Sequence, residues 1–356
     1  DDPEPEEGEP KTPDTQKPEG KTDAATLEAS TEQKPVEEAA EDEDDDKDVM
    51  TFEANTASTV TNAVNKAVKN IIKIINNCTK KDTTVTIEDV NINVSGGEYG
   101  TGKAAMSVEG VGDTTLKLEG DNTLKSGWGR AGVEKNDETS SGKLTITAED
   151  TSSSLNAVGG QEAAGIGGGG YRQSTSKLEI ANGKIYAEGG SRGAGIGGGS
   201  IGGNGEVTIS GGEVTAYASG GGAGIGGGTD STKKSTVRIL GGVINAVGCG
   251  YGSGIGGGHG DTQVAEVEIG GGAQVTAKGG SGYASLGAGA AIGTGGGVRG
   301  KAGKELDVNT SGGGTVTRID SKLSAGHKHE WTLVSSTPAA VGQMGEKVYE
   351  CSSCGS

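Results

Sequence analysis

Two groups of residues in this sequence have the types and spacing to do chemistry. Towards its end, His327-Lys-His329 is followed by Cys351-Ser-Ser-Cys354. Two thiolates on a tight knuckle and two imidazoles make the donor set of a tetrahedral zinc site, so His327, His329, Cys351 and Cys354 are the candidate metal ligands. A Cys-x-x-Cys outside a cell is also consistent with a disulfide or with unpaired thiols. The second group would hold sugar, which needs exposed aromatic faces beside hydrogen-bonding groups. Arg192 and Tyr251 each stand four residues before an isoleucine of a repeated phrase, and Tyr283 stands three before Leu286. These three are the candidate ligand-binding residues, placed to line one rim. Tyr171, Tyr186 and Tyr217 fall elsewhere in the repeat.

The elements that position these residues are read from that repeat. The phrase Ala-Gly-Ile-Gly-Gly-Gly puts Ile166, Ile196, Ile225 and Ile255 in one column at spacings of 29 or 30 residues. Leu144, Leu178, Val207, Val237 and Val267 make a second column, with Ile146, Ile180, Ile209, Ile239 and Ile269 two residues later. Leu155, Ile185, Val214, Ile244 and Val275 align next, each followed two places on by alanine, and the last unit ends at Leu286. An apolar-x-apolar spacing is the period of a strand and puts both residues on one face. Three such segments per unit, separated by glycine-rich turns, predict an all-β fold, a right-handed parallel β-helix with three-strand coils of about 30 residues. The solenoid is expected over 83–320. Before it, the three- and four-residue spacing of Val60, Val64, Val68, Ile71, Ile72 and Ile75 predicts an amphipathic helix within 50–82 that caps the stack.

Composition supports a stack rather than a single large core. Only 31% of residues are hydrophobic and 3% aromatic, while 71 are glycine, so each unit must bury its few apolar groups against its neighbours. The net charge of -18 is concentrated in residues 1–49, which hold 20 acids against five lysines and six of the seven prolines. Such a segment reads as an extended, disordered linker. Residues 321–356 read as a truncated small Cys-x-x-Cys module. An acidic chain without a basic stripe argues against nucleic acid as partner, and no run of about 18 apolar residues predicts a membrane span.

The outward positions of the repeat carry little that could catalyse. Polysaccharide-cleaving β-helices need acids within hydrogen-bond reach of one substrate atom. The first outward column reads Thr145, Glu179, Thr208, Arg238 and Glu268, and the second reads Asn156, Tyr186, Thr215, Asn245 and Thr276, so neither concentrates carboxylates. The single Gly202-Gly-Asn-Gly-Glu-Val207 lacks the aspartate of a calcium-binding repeat. The glycines flanking each central isoleucine predict a side of nearly bare backbone. That side either docks a partner or is closed by the chain itself, and the sequence favours closure or steric necessity.

Taken together, Ser126-Gly-Trp-Gly-Arg-Ala-Gly-Val-Glu-Lys135, Leu144-Thr-Ile-Thr147, Ser154-Leu-Asn-Ala157 and the Ala-Gly-Ile-Gly-Gly-Gly phrases resemble a family. It is that of glycine-rich, carbohydrate-binding-type β-helix domains in surface proteins of Gram-positive gut bacteria, and the match spans about residues 80–320. The C-terminal segment resembles a short repeated module of Gram-positive surface proteins. The resemblance implies a non-catalytic, extracellular module that binds a glycan or a host or cell-wall surface polymer. A purely structural spacer and, third, a polysaccharide lyase or hydrolase are the alternatives. The cofactor expected from the residues is zinc in the C-terminal module or none.

Overall fold

The computed structural model describes residues 28–31, 49–53, 57–62, 66–201, 206–231, 233–260, 265–282, 287–297, 301–308, 310, 312–319, 331–337 and 346–351. They form a parallel β-solenoid with three sheets of nine, nine and eight strands, and no helix occurs among them. Each coil contributes one strand to each sheet. In one turn these are Leu144–Ala148 in the first sheet, Ser154–Val158 in the second and Ile166–Gly167 in the third. Strands hydrogen-bond to their equivalents in the neighbouring coils, so the ladders run along the stack.

The apolar columns read from the sequence are the ladders of the fold. Leu144, Leu178, Val207, Val237 and Val267 pair in register, as do Leu155, Ile185, Val214, Ile244 and Val275. Their side chains point inwards because alternate strand residues face opposite sides. All but Val267 of these ten are almost wholly buried. Each isoleucine or leucine so buried contributes about 1.5–3 kcal/mol, and each alternate residue is left to solvent.

Three boundaries differ from the sequence expectation. Among the described residues of 50–82 no helix occurs, Val64 lying outside them: Val49–Glu53, Ala57–Thr61 and Ile71–Asn76 are strands that pair into the stack before residue 83. Ile71-Ile-Lys-Ile-Ile75 satisfies helical spacing and strand alternation alike, and Ile72 and Ile74 are buried while their neighbours are partly exposed. Short β-branched runs are ambiguous by periodicity, and pairing with both neighbouring coils decides for the strand. Within the acidic segment, Glu28–Thr31 pairs antiparallel with Ala57–Thr61 and covers that edge of the first sheet. At the other end the column position expected of Leu286 belongs to Ile292, which pairs with Ile255. The last full unit therefore carries a longer insertion than its predecessors. Beyond it, Trp331–Thr337 and Glu346–Cys351 form an antiparallel pair.

The glycine side is buried rather than bare. Residues 163–170, 193–200 and 222–229 are all buried. A Cβ at Gly195 would lie 2.6 Å from the backbone nitrogen of Tyr217 and 2.6 Å from the carbonyl oxygen of Gly224. Gly197 has a φ of +133°, and a Cβ there would lie 2.0 Å from the Gly226 carbonyl oxygen. Backbone therefore packs on backbone along this side, and glycine is a steric requirement.

Candidate functional site

Around each central isoleucine the chain makes two arms that project to one edge of the solenoid and bind each other. The amides of Gly170, Ser200, Thr229, His259 and Gly296 on one arm donate to the carbonyls of Gly129, Glu162, Arg192, Gly221 and Tyr251 on the other, at 2.6–2.9 Å. Glycines let successive arms stack closely: a Cβ at Gly190 would meet the Gly160 carbonyl at 2.0 Å. What varies from coil to coil is the side chain each arm presents.

At one end of this edge three rings meet. Tyr99, Trp128 and Tyr171 contact one another pairwise, with ring centroids 4.6–5.3 Å apart. Tyr99 is 70% exposed and Tyr171 is 37% exposed, so the cluster faces solvent rather than the core. Each ring is held by its own local chemistry. The Trp128 indole N–H donates to Gln161 Oε1 at 3.0 Å. Arg130 Nε donates to the Gly102 carbonyl at 3.3 Å, tying down the loop that carries Tyr99. Tyr171 sits over Gly129 with a left-handed φ of 58°, and Arg172 after it has a φ of 69°. Two consecutive non-glycine residues in that region are sterically costly, and such strain concentrates where a side chain must be aimed.

The polar groups beside the rings are fixed by a buried carboxylate. Glu134 accepts from Arg130 Nη1 at 2.9 Å, from the Ala131 amide at 3.1 Å and from Asn136 Nδ2 at 3.1 Å. Burial pushes its carboxyl above the ordinary glutamate range, against the pull of Arg130 and the two amide donors. Asn136 in turn accepts from the Gly169 amide at 2.8 Å. Trp128, Arg130, Asn136, Tyr171 and Gln173 thereby line a cleft of about 220 Å³. Gln173 Oε1 is buried there without a hydrogen-bond partner, while its Nε2 donates to Glu138 at 3.0 Å. Rings for stacking and amide groups for hydroxyls are what a sugar requires.

Two of the residues expected to bind ligand are brought together further along the same edge. Arg192 and Tyr251 line a groove of about 290 Å³ with Ser219, Thr229, Cys249 and His259. The Tyr251 and His259 rings stand 4.8 Å apart, and Arg192 pairs with Glu162 at 3.5 Å. Tyr283, His327, His329 and Cys354 lie outside the described residues. Cys351 ends a strand opposite Trp331. Of the other tyrosines, Tyr186 and Tyr217 lie on the second sheet, and the Tyr217 hydroxyl meets Cys249 of the groove.

Sequence reasoning missed the ring cluster because its members come from three unequal places in the repeat. Trp128 stood within the phrase that carried the family resemblance, and that was the available signal. The outward columns fall as expected: Thr145, Glu179, Thr208, Arg238 and Glu268 pair in register, with Arg238 3.2 Å from Glu268 and Lys143 3.1 Å from Glu179. These are exposed ion pairs of small energetic weight. No helix among the described residues is long and apolar enough to cross a membrane. Comparison with protein-family models, curated proteins and solved structures finds no match.

Proposed function

We propose that this chain is a non-catalytic carbohydrate-binding β-solenoid that works outside a bacterial cell, displayed at a surface or secreted. The observation that carries the reading is the solvent-facing cluster of Tyr99, Trp128 and Tyr171 beside the amide-lined cleft of Asn136 and Gln173. Three rings left open to water cost solvation unless something covers them, and the apolar face of a sugar is the right size and chemistry. Glu134, the buried carboxylate behind the cleft, is already engaged by three donors, which suits a positioning role better than proton transfer. The resemblance of the Ser126-Gly-Trp-Gly-Arg phrase to surface β-helix domains supports the extracellular setting. The general preference of parallel crossovers supports right-handed winding.

The test is a glycan array probed with the whole chain and with Tyr99→Ala. Tyr99 is the most exposed ring, so its removal leaves the thermal midpoint unchanged. The expected result is a defined set of glycans bound by the parent and lost or weakened in the variant. Binding that is unaltered by Tyr99→Ala, or an array without any bound glycan, would overturn the reading and favour a structural spacer.

A further inference from the structure

We infer that the ring cluster and the Arg192–Tyr251 groove are two ends of one track that takes a linear, uncharged polysaccharide lying along the solenoid axis. This rests on the carbohydrate reading above and extends it from a single contact point to a class of ligand.

The alignment follows from the arm hydrogen bonds. Gly129, Glu162, Arg192, Gly221 and Tyr251 accept from equivalent amides of the facing arm in five successive coils, so they occupy one row. A parallel row follows the facing arm, where Tyr171, Ile201, Asp230 and Gly260 all adopt positive φ of 57–73°. Four coil steps separate Gly129 from Tyr251, which is about 19 Å at the usual strand spacing. The rings packed beside Gly129 and the stacked Tyr251–His259 pair therefore face the same edge at that separation, several sugar units apart. The edge between them holds Glu162, Arg192, Ser219 and Thr229.

Charge and hydrogen bonding narrow the ligand. The arginines of both clefts are already neutralised, Arg130 by Glu134 at 2.9 Å and Arg192 by Glu162 at 3.5 Å. Arg172 adds one positive charge, while Asp230 and Glu138, which accepts from Gln173 at 3.0 Å, add two negative ones. Such an edge offers no excess positive charge to an anionic polymer. Within the groove, Thr229 is 5% exposed, and neither its hydroxyl nor His259 Nε2 has a hydrogen-bond partner. An unpartnered buried polar group is costly, and a ligand hydroxyl that reaches it relieves that cost. The groove's wall thus contains hydrogen-bonding groups that the chain itself leaves unpaired, while its charges are closed.

The experiment is affinity electrophoresis of the whole chain in gels containing hydroxyethylcellulose, xylan, galactomannan, amylose or polygalacturonate. Oligosaccharides of two, four and six units from the retarding polymer are then measured by titration calorimetry. The track predicts retardation by at least one neutral polymer, insensitivity to 0.5 M salt at the order-of-magnitude level expected for uncharged partners, and affinity that climbs at least tenfold from two units to six. Tyr251→Ala should flatten that climb, bringing six units to the affinity of two, while Tyr251→Phe preserves it by keeping the ring. A length-independent affinity, or a Tyr251→Ala variant with an unchanged length dependence, overturns the track and leaves a single sugar site at the rings. Retardation by polygalacturonate alone, abolished by salt, also overturns it. No retardation by any polymer overturns both the track and the carbohydrate reading.

Discussion

The two sides of this solenoid are filled by opposite means. On the first and second sheets the interior is side chain, with ladders such as Leu144–Leu178–Val207 and Ala187–Ala216–Ala246 closing the volume. On the third sheet from Ile166 onwards, apart from one isoleucine per coil, the interior is backbone, because the glycines beside Ile166, Ile196, Ile225 and Ile255 let neighbouring chain segments approach to contact. A side-chain core can adjust by rotamer when a methylene is lost. A backbone core has nothing to move except the coil itself. One coil shows the alternative: where later coils have Ile166-Gly-Gly-Gly169, an earlier one has Val133-Glu-Lys-Asn136, with all four buried and Glu134 paired to Gly167. There the glycines are replaced by a polar network, and that network holds the ring cluster.

The largest effect expected from this contrast is that of a charge on the isoleucine column. Ile225 is fully buried, so Ile225→Asp places an unpaired carboxylate inside the stack and should abolish the β-type circular dichroism signal. Next comes the pair Gly195→Val and Gly224→Val. Each new Cβ would start within 2.7 Å of backbone atoms, and the double variant should lose a few kcal/mol or more in urea melts through overpacking. By contrast Ile225→Val should cost about 0.5–1.5 kcal/mol. If the valine pair on the glycine side is the milder change, the distinction between the two kinds of core fails.

The polar coil gives a pH signature. Lys135 is fully buried, its ammonium donating to the carbonyls of Ser140 and Ser176, and burial lowers its pKa from 10.5 to about 8. Its folded pKa lies below the unfolded one, so the folded chain binds fewer protons between pH 8 and 10.5. Stability contributed by this group should therefore rise across that window, by on the order of 3 kcal/mol. Urea melts at pH 7.5 and 10 should show that rise in the parent but not in Lys135→Met. A rise of the same size in the variant would assign it to other groups. The smallest effect is that of Thr208→Asp, on the outward row between Glu179 and Arg238, expected within about 0.5 kcal/mol of the parent.

What the sequence showed and hid follows the same division. The side-chain ladders were legible because each carries an i, i+2 apolar pair that recurs every 29–34 residues, and pairing reproduces those columns from Leu144 to Val275. The burial of the third side was not legible, since a glycine looks alike whether it is exposed or pressed against a carbonyl. The strand at Ile71–Asn76 was hidden by a run whose isoleucines fit both periods. Arg192 and Tyr251 were expected on one rim, and line one groove, because they keep the repeat register. Tyr99 and Tyr171 do not announce their meeting, because one lies in an insertion between coils and the other at a turn with left-handed φ.

Sugar binding by the rings at the end of the arm edge is the core of the proposed function. It is tested most directly by titrating the best array glycan into the whole chain and into Trp128→Ala, with thermal melts of both in parallel. The variant should bind at least tenfold more weakly, about 1.4 kcal/mol, with the β-type circular dichroism spectrum of the parent retained. An affinity equal to that of the parent in a folded Trp128→Ala chain would contradict it.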